Sequence, residues 1–145
     1  MRVGVKVLKD ISFLPKKGSE GAAGWDLKAA TEKRITIGPG LGTRVPLGVA
    51  FEIPPGYVGK LHLRSGVAAK KGFCLANGVG VVDSDYRGEV AVAVWSLNRI
   101  ADVVIEPGER IAQILFERVE DVEMAEVAEL GQTERGAGGF GSTGQ

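Results

Sequence analysis

Residues 90–95 read Val90-Ala91-Val92-Ala93-Val94-Trp95. Valine recurs at every second position, which is the pattern of a strand with one face in a core. Its β-branched side chain suits a pleated surface, and a helix would scatter the same valines around its circumference. The alternation returns at Val3, Val5 and Val7, at Ile35 and Ile37 around Thr36, and at Leu61 and Leu63 around His62. Turn signals separate these runs: Gly38-Pro39-Gly40, Pro54-Pro55-Gly56, Arg87-Gly88 and Pro107-Gly108. Many short strands with regular turns predict an all-β fold, a jelly-roll-like sandwich or barrel. Glycine supplies 22 of the 145 residues, but it is spread along the chain and punctuates strands rather than forming a linker.

The length predicts one domain, large enough to fold without a metal or disulfide staple. We divide the chain into a β domain over 1–130 and a glycine-rich arm over 131–145, whose apolar content is too low to pack alone. The 18 basic and 18 acidic residues cancel, which argues against a general nucleic-acid or membrane-surface binder. No run reaches the roughly 18 apolar residues of a membrane span. Met1 to Asp10 alternates instead of forming a basic head and an apolar block, so the expected location is cytoplasmic.

One short helix is expected over Ser65–Gly72, with Ser65 as N-cap and Gly72 as stop. Arg118 to Leu130 is helical by propensity, yet Val122, Met124 and Glu126 also fit alternation. The single cysteine, Cys74, reads as a buried small hydrophobe, and the single histidine, His62, as a strand residue without chemical duty. With one of each, neither a disulfide framework nor a Cys/His zinc site can form. Any chemistry must rest on carboxylates, hydroxyls, amides, arginines or an oxygen-bound metal.

Four stretches could carry it. Arg64-Ser65-Gly66, at a strand-to-helix junction, is either an ordinary helix start or an anion site built from a guanidinium, a hydroxyl and free amides. Asn77 to Glu89 (NGVGVVDSDYRGE) reads as a hairpin whose backbone could approach a flat ligand. If that segment stays extended, Asp83 and Asp85 point the same way, one a base and the other a turn cap. Gln113, among Ile111, Ala112, Ile114 and Leu115, either satisfies backbone or faces a ligand. Arg135 to Gly144 (RGAGGFGSTG) is either a tail or a phosphate-wrapping arm with one aromatic, Phe140, to stack on a base. It lacks the ending of a P-loop.

With Ala22 to Ala30 (AAGWDLKAA), Arg64 to Gly66 and Gly108 to Gln113 (GERIAQ), these segments stand in the order of the trimeric dUTPase family, which the chain resembles over most of its length. The resemblance implies a jelly-roll-like β-clip fold and a homotrimer with sites at subunit interfaces. The C-terminal arm would close over a neighbour. The reaction would be dUTP plus water to dUMP plus pyrophosphate, assisted by Mg²⁺ on the triphosphate. It would limit uracil in DNA and supply dUMP for thymidylate. The resemblance also implies that Arg118–Leu130 begins as a strand.

Residue by residue, Asp83 matches the family's catalytic base. Asn77 and the backbone from Gly78 to Val82, Gly80 and Val82 included, match the uracil reader, and Tyr86 matches the tyrosine under the deoxyribose. Arg64, Ser65, Gly66 and Gln113 match phosphate-chain contacts. Asp26 matches an acidic residue in the outer shell of the metal. Arg135, Ser142 and Thr143 match γ-phosphate contacts, and Phe140, followed by Gly141, matches the aromatic that stacks on uracil. Leu63, where many relatives have proline, and Trp25 depart from the family without replacing a chemical group. A dCTP deaminase of the same fold would need a carboxylate beside the base's C4, which nothing marks. A purely binding module would be expected to lose Asp83 or the arm.

Overall fold

The computed structural model describes residues 1–139. The strands in chain order are β1 (Gly4–Val7), β2 (Lys16–Lys17), β3 (Trp25–Lys28), β4 (Ile35–Ile37), β5 (Gly42–Pro46), β6 (Val49–Glu52) and β7 (Tyr57–Leu63). The helix α1 (Ser65–Lys71) comes next, then β8 (Phe73–Leu75), β9 (Gly80–Val82), β10 (Ala91–Ser96), β11 (Val103–Ile105) and β12 (Arg110–Arg118). A five-stranded sheet has the order β2-β3-β12-β7-β9, and a three-stranded sheet the order β5-β10-β8. β1 pairs with β6 and β4 with β11. All these pairings are antiparallel, and the fold is the all-β, jelly-roll-like one expected.

The decisive stretch behaves as its alternation requires. Val90, Val92 and Val94 are buried, while Ala93 and Trp95 face outward. They join Leu27, Val45, Leu47, Ile105, Ile111 and Ile114 in one continuous core. Each such side chain contributes about 1.5–3 kcal/mol by leaving water. Ser96 continues the inward series and is 1% exposed, and its hydroxyl has no partner among the described residues. Val5 departs from its expected role: β1 is an outer strand, and Val5 stays exposed.

Other differences are local. The helix starts at Ser65, so Arg64 holds the N-cap position and makes no side-chain cap bond. Gly72 ends it, with φ +70°, as expected of a stop. A 3₁₀ turn at Ile11–Phe13, capped by Asp10 on the amide of Ser12, carries no hydrophobic periodicity and was not expected. That hydrogen bond lowers the Asp10 pKa from its ordinary value. β12 ends at Arg118, so only the first residue of Arg118–Leu130 is strand, and 119–130 form neither helix nor strand. Propensity fails there because this exposed stretch has no packed face to cooperate with. Cys74 is half-buried rather than buried, on β8 opposite Trp95.

One irregularity shapes the site. Arg110 pairs with Lys28 and Ala112 with Leu27, so Ile111 is an extra residue, a β-bulge. Ile111 and Ala112 both turn into the core, and Arg110 and Gln113 both turn outward. A regular strand would place Arg110 and Gln113 on opposite faces.

Candidate active site

The expected site residues form two groups. The first surrounds a pocket of about 230 Å³ beside β9, lined by Asn77, Gly80, Val82, Asp83 and Tyr86. Arg44 and Glu89 also line it; sequence reading assigned neither a role, Arg44 because it lies in no unusual pattern and Glu89 because it only closes the Asn77–Glu89 stretch.

The Asn77–Gly78 turn is not the hairpin expected. β8 pairs with β10 and β9 with β7, so the turn is a corner that carries the chain from one sheet to the other. The amide of Gly78 donates to Leu75 (3.0 Å) and that of Val79 to Asn77 (2.7 Å), which tightens it. β9 ends its sheet, and its second edge has no strand partner among the described residues. Such an edge offers alternating donors and acceptors to the rim of a flat base.

Asp83 follows directly on β9. A turn at Ser84–Asp85, closed by the Tyr86 amide on the Asp83 carbonyl (3.2 Å), replaces the extended geometry that would aim Asp83 and Asp85 alike. Asp83 is exposed, and among the described residues no hydrogen bond or ion pair engages its carboxylate. The nearby Arg87 guanidinium instead donates to the carbonyls of Ser84 (2.6 Å) and Tyr86 (3.1 Å).

The second group lies on the outward face of the larger sheet. Lys16, Asp26, Gln113 and His62 are mutual register partners across β2, β3, β12 and β7. Directly opposed residues share a face, so they form one transverse row. Asp26 is largely buried, with 11% of its side chain exposed. One of its oxygens is ion-paired with Arg64 Nε (2.9 Å), and the other accepts a hydrogen bond from Arg110 Nη1 (3.1 Å). Gln113 donates to the Leu63 carbonyl (3.4 Å), which leaves its amide oxygen free for another partner. The amides of Ser65 and Gly66, first in α1, have no intrahelical acceptor.

At the other end of α1, Lys71 is tied to Glu109 (2.7 Å) and to the Val104 carbonyl (2.9 Å). The helix is thus held to β12 on both sides: before it the Arg64 amide donates to the Ile111 carbonyl (3.0 Å), and at its end Lys71 reaches Glu109. Of the departures, Leu63 packs on the core and Trp25 lies under Lys17, 5.6 Å from its ring centre.

The two groups lie along one strand, the near end of the first at Gly80, whose partner Leu61 is three residues from Arg64. Val82 pairs with Gly59, and Arg64 lies five residues farther along that strand, roughly 17 Å away at the antiparallel rise per residue. In the arm, Arg135 donates to Gly138 (2.8 Å) on the surface. Phe140, Gly141, Ser142 and Thr143 lie outside the described residues.

A family model described as dUTPase matches residues 11–144. A deoxyuridine 5'-triphosphate nucleotidohydrolase of Neorickettsia sennetsu is 43% identical over 94% of this chain and 90% of its own. One of Rhizobium johnstonii is 49% identical over 90% and 85%. Among solved structures, the dUTPase of Staphylococcus bacteriophage 80alpha with dUPNHPP superposes with TM-score 0.88 at 27% identity, covering 99% of both chains. Taken with the pocket and the arginine-clamped carboxylate, these matches show that the chain belongs to the dUTPase family, hydrolases of deoxyuridine triphosphate.

Proposed function

We propose that Asp83 is the general base of a dUTP hydrolysis that yields dUMP and pyrophosphate. Its carboxylate holds a water and takes its proton as the oxygen bonds to the α-phosphorus. The bond to the bridging oxygen then breaks, and pyrophosphate leaves. In support, Asp83 stands at the mouth of the pocket with its acceptor oxygens unengaged among the described residues.

Uracil takes the free edge of β9 between Asn77 and Val82. Cytosine would set a donor against a donor there and leave both unpaired. Tyr86 underlies the deoxyribose and obstructs a 2′-hydroxyl. Arg64, Ser65, Gly66 and Gln113 bind the phosphate chain. Residues 131–145 act as an arm on the 1–130 domain, with Arg135, Ser142 and Thr143 on the γ-phosphate and Phe140, followed by Gly141, over the base.

The observation that carries the assembly is the separation of Val82 from Arg64. A stretch of roughly 17 Å between the Asp83 end of β9 and Arg64 favours a site completed by neighbouring copies, in a homotrimer. Val122, Met124 and Leu130, at 70, 91 and 87% exposure, leave apolar surface that association would cover.

No group of three acidic, His or Cys side chains able to cage a metal occurs among the described residues. Asp26, a lone carboxylate oxygen donor beside Arg64 and Gln113, fits the outer shell of Mg²⁺, which keeps its waters and takes ligands from substrate phosphates. Asp26 would hold one of those waters, since a carboxylate bonded by two arginines still has free lone pairs. When bound, the ion neutralises phosphate charge and orients the chain. Among the described residues no helix is long and apolar enough to cross a membrane, and a cytoplasmic role in keeping uracil out of DNA completes the reading.

The test is pyrophosphate release from dUTP, dCTP, dTTP and UTP in parallel, with Mg²⁺ and with excess EDTA. Mg²⁺-dependent release from dUTP alone is expected. Ammonia release from dCTP would indicate a deaminase, and a folded trimer inert toward dUTP would indicate a binding module.

A further inference from the structure

Arg64 poses an electrostatic difficulty. Its guanidinium is paired at 2.9 Å with a carboxylate that is only 11% exposed. An arginine so paired presents almost no net charge to an approaching anion, because Asp26 cancels what Arg64 would offer. The second guanidinium resolves this. Arg110 binds the other oxygen of Asp26 at 3.1 Å, so two cations share one anion and the cluster keeps a single positive charge. Arg110 is 53% exposed at its side chain and uses one nitrogen on Asp26, so its remaining donors face solvent.

The bulge at Ile111 is what brings Arg110 to this face beside Gln113. Lys16, Lys28 and Lys60 are the other cations on the row and its flanks, and Lys60 is taken up by Glu117. Lys16 is exposed, and Lys28 lies 5.6 Å from the centre of the Phe13 ring, so neither replaces Arg110 at the carboxylate.

We propose that Arg110 is a polyphosphate-recognising residue: held by Asp26 beside Arg64, it restores the positive charge that Asp26 removes and donates to the phosphate chain. The proposal rests on the dUTP reading above. The experiment measures binding of the imido analogue of dUTP and of dUMP to the intact protein by calorimetry, in EDTA, so that no metal role of Asp26 enters.

Arg110→Gln should weaken the imido analogue about tenfold or more, as loss of a charge-assisted contact does, and dUMP much less. Asp26→Asn combined with Arg110→Gln returns the cluster to one positive charge and should regain the part of the affinity carried by net charge, though not the part carried by the Arg110 contact itself. A merely structural role for Arg110 predicts the reverse, since the double variant removes still more contacts. Unchanged affinity in Arg110→Gln, equal losses for both nucleotides, or a double variant no better than the single one would each overturn the proposal. A folded wild-type protein that binds dUMP but not the analogue, or neither, would overturn the dUTP reading itself.

Discussion

The ring and hydroxyl of Tyr86 lie directly over Gly88, leaving no room there for a methyl group. The hydroxyl donates to the Glu89 carbonyl at 3.1 Å, so glycine and carbonyl together fix the ring at the pocket wall.

Gly88→Ala should therefore swing the tyrosine away while the strands stay folded. The expected result is a fall of about tenfold in the preference for dUTP over UTP, in line with what one lost positioning contact removes. Parallel kcat/KM values for the two nucleotides, with circular dichroism as the check on folding, measure it. Unchanged discrimination would mean that Tyr86 does not gate the sugar.

Asp83→Asn keeps the shape of the side chain and removes its basicity. Turnover should drop by about 10²–10⁴, the usual worth of a positioned base, while binding of the imido analogue stays near normal. Single-turnover kinetics beside calorimetry separates the two. A near-normal rate would take Asp83 out of the chemistry.

Deleting residues 136–145 should leave thermal unfolding and the oligomeric state as they are, because this segment contributes nothing to the described core. The value of kcat/KM should fall strongly. Sedimentation and kinetics on one preparation test both halves of the statement.

Lys71→Met cuts the tie from α1 to Glu109 and to the Val104 carbonyl. The pair is partly exposed, so the expected loss is about 1–2 kcal/mol, above a surface pair and below a buried one. Urea titration reads it. The KM for dUTP should rise as well, because the same helix begins with Ser65 and Gly66.

Ser96→Ala is expected to do the opposite. Removing a buried hydroxyl with no partner among the described residues should raise stability by about 1 kcal/mol. A loss instead would show that the hydroxyl is satisfied in solution.

What the sequence reveals here is which way a residue faces, and seldom what it faces. Val92 and Val94 are readable because alternation is a property of one strand. The Asn77–Gly78 turn is misread as a hairpin because turn chemistry is local, whereas the partners of β8 and β9 are chosen by distant strands. Ser65 looks like a cap because serine favours that position, yet with the Arg64 amide paired to the Ile111 carbonyl the helix starts one residue earlier, at Ser65 itself. Arg110 escapes notice because the bulge that turns it outward has no signature in the residues themselves. Asp83, Asn77, Tyr86 and Gln113 are singled out by motif order rather than by periodicity; the first three line one pocket, and Gln113 stands apart on the outward row of the larger sheet.

The pairing pattern also bears on how the molecule is made. Among the described residues only β2 and β3 are neighbours both in sequence and in a sheet; β1 waits for β6, β3 for β12, β4 for β11 and β5 for β10. Hardly any strand can find its partner by closing a short loop, so the entropy of large loops is spent before the contacts that reward it form. Refolding should accordingly occupy milliseconds to seconds rather than microseconds, and the pocket beside β9, which needs the corner between two sheets, should be among the last parts to form.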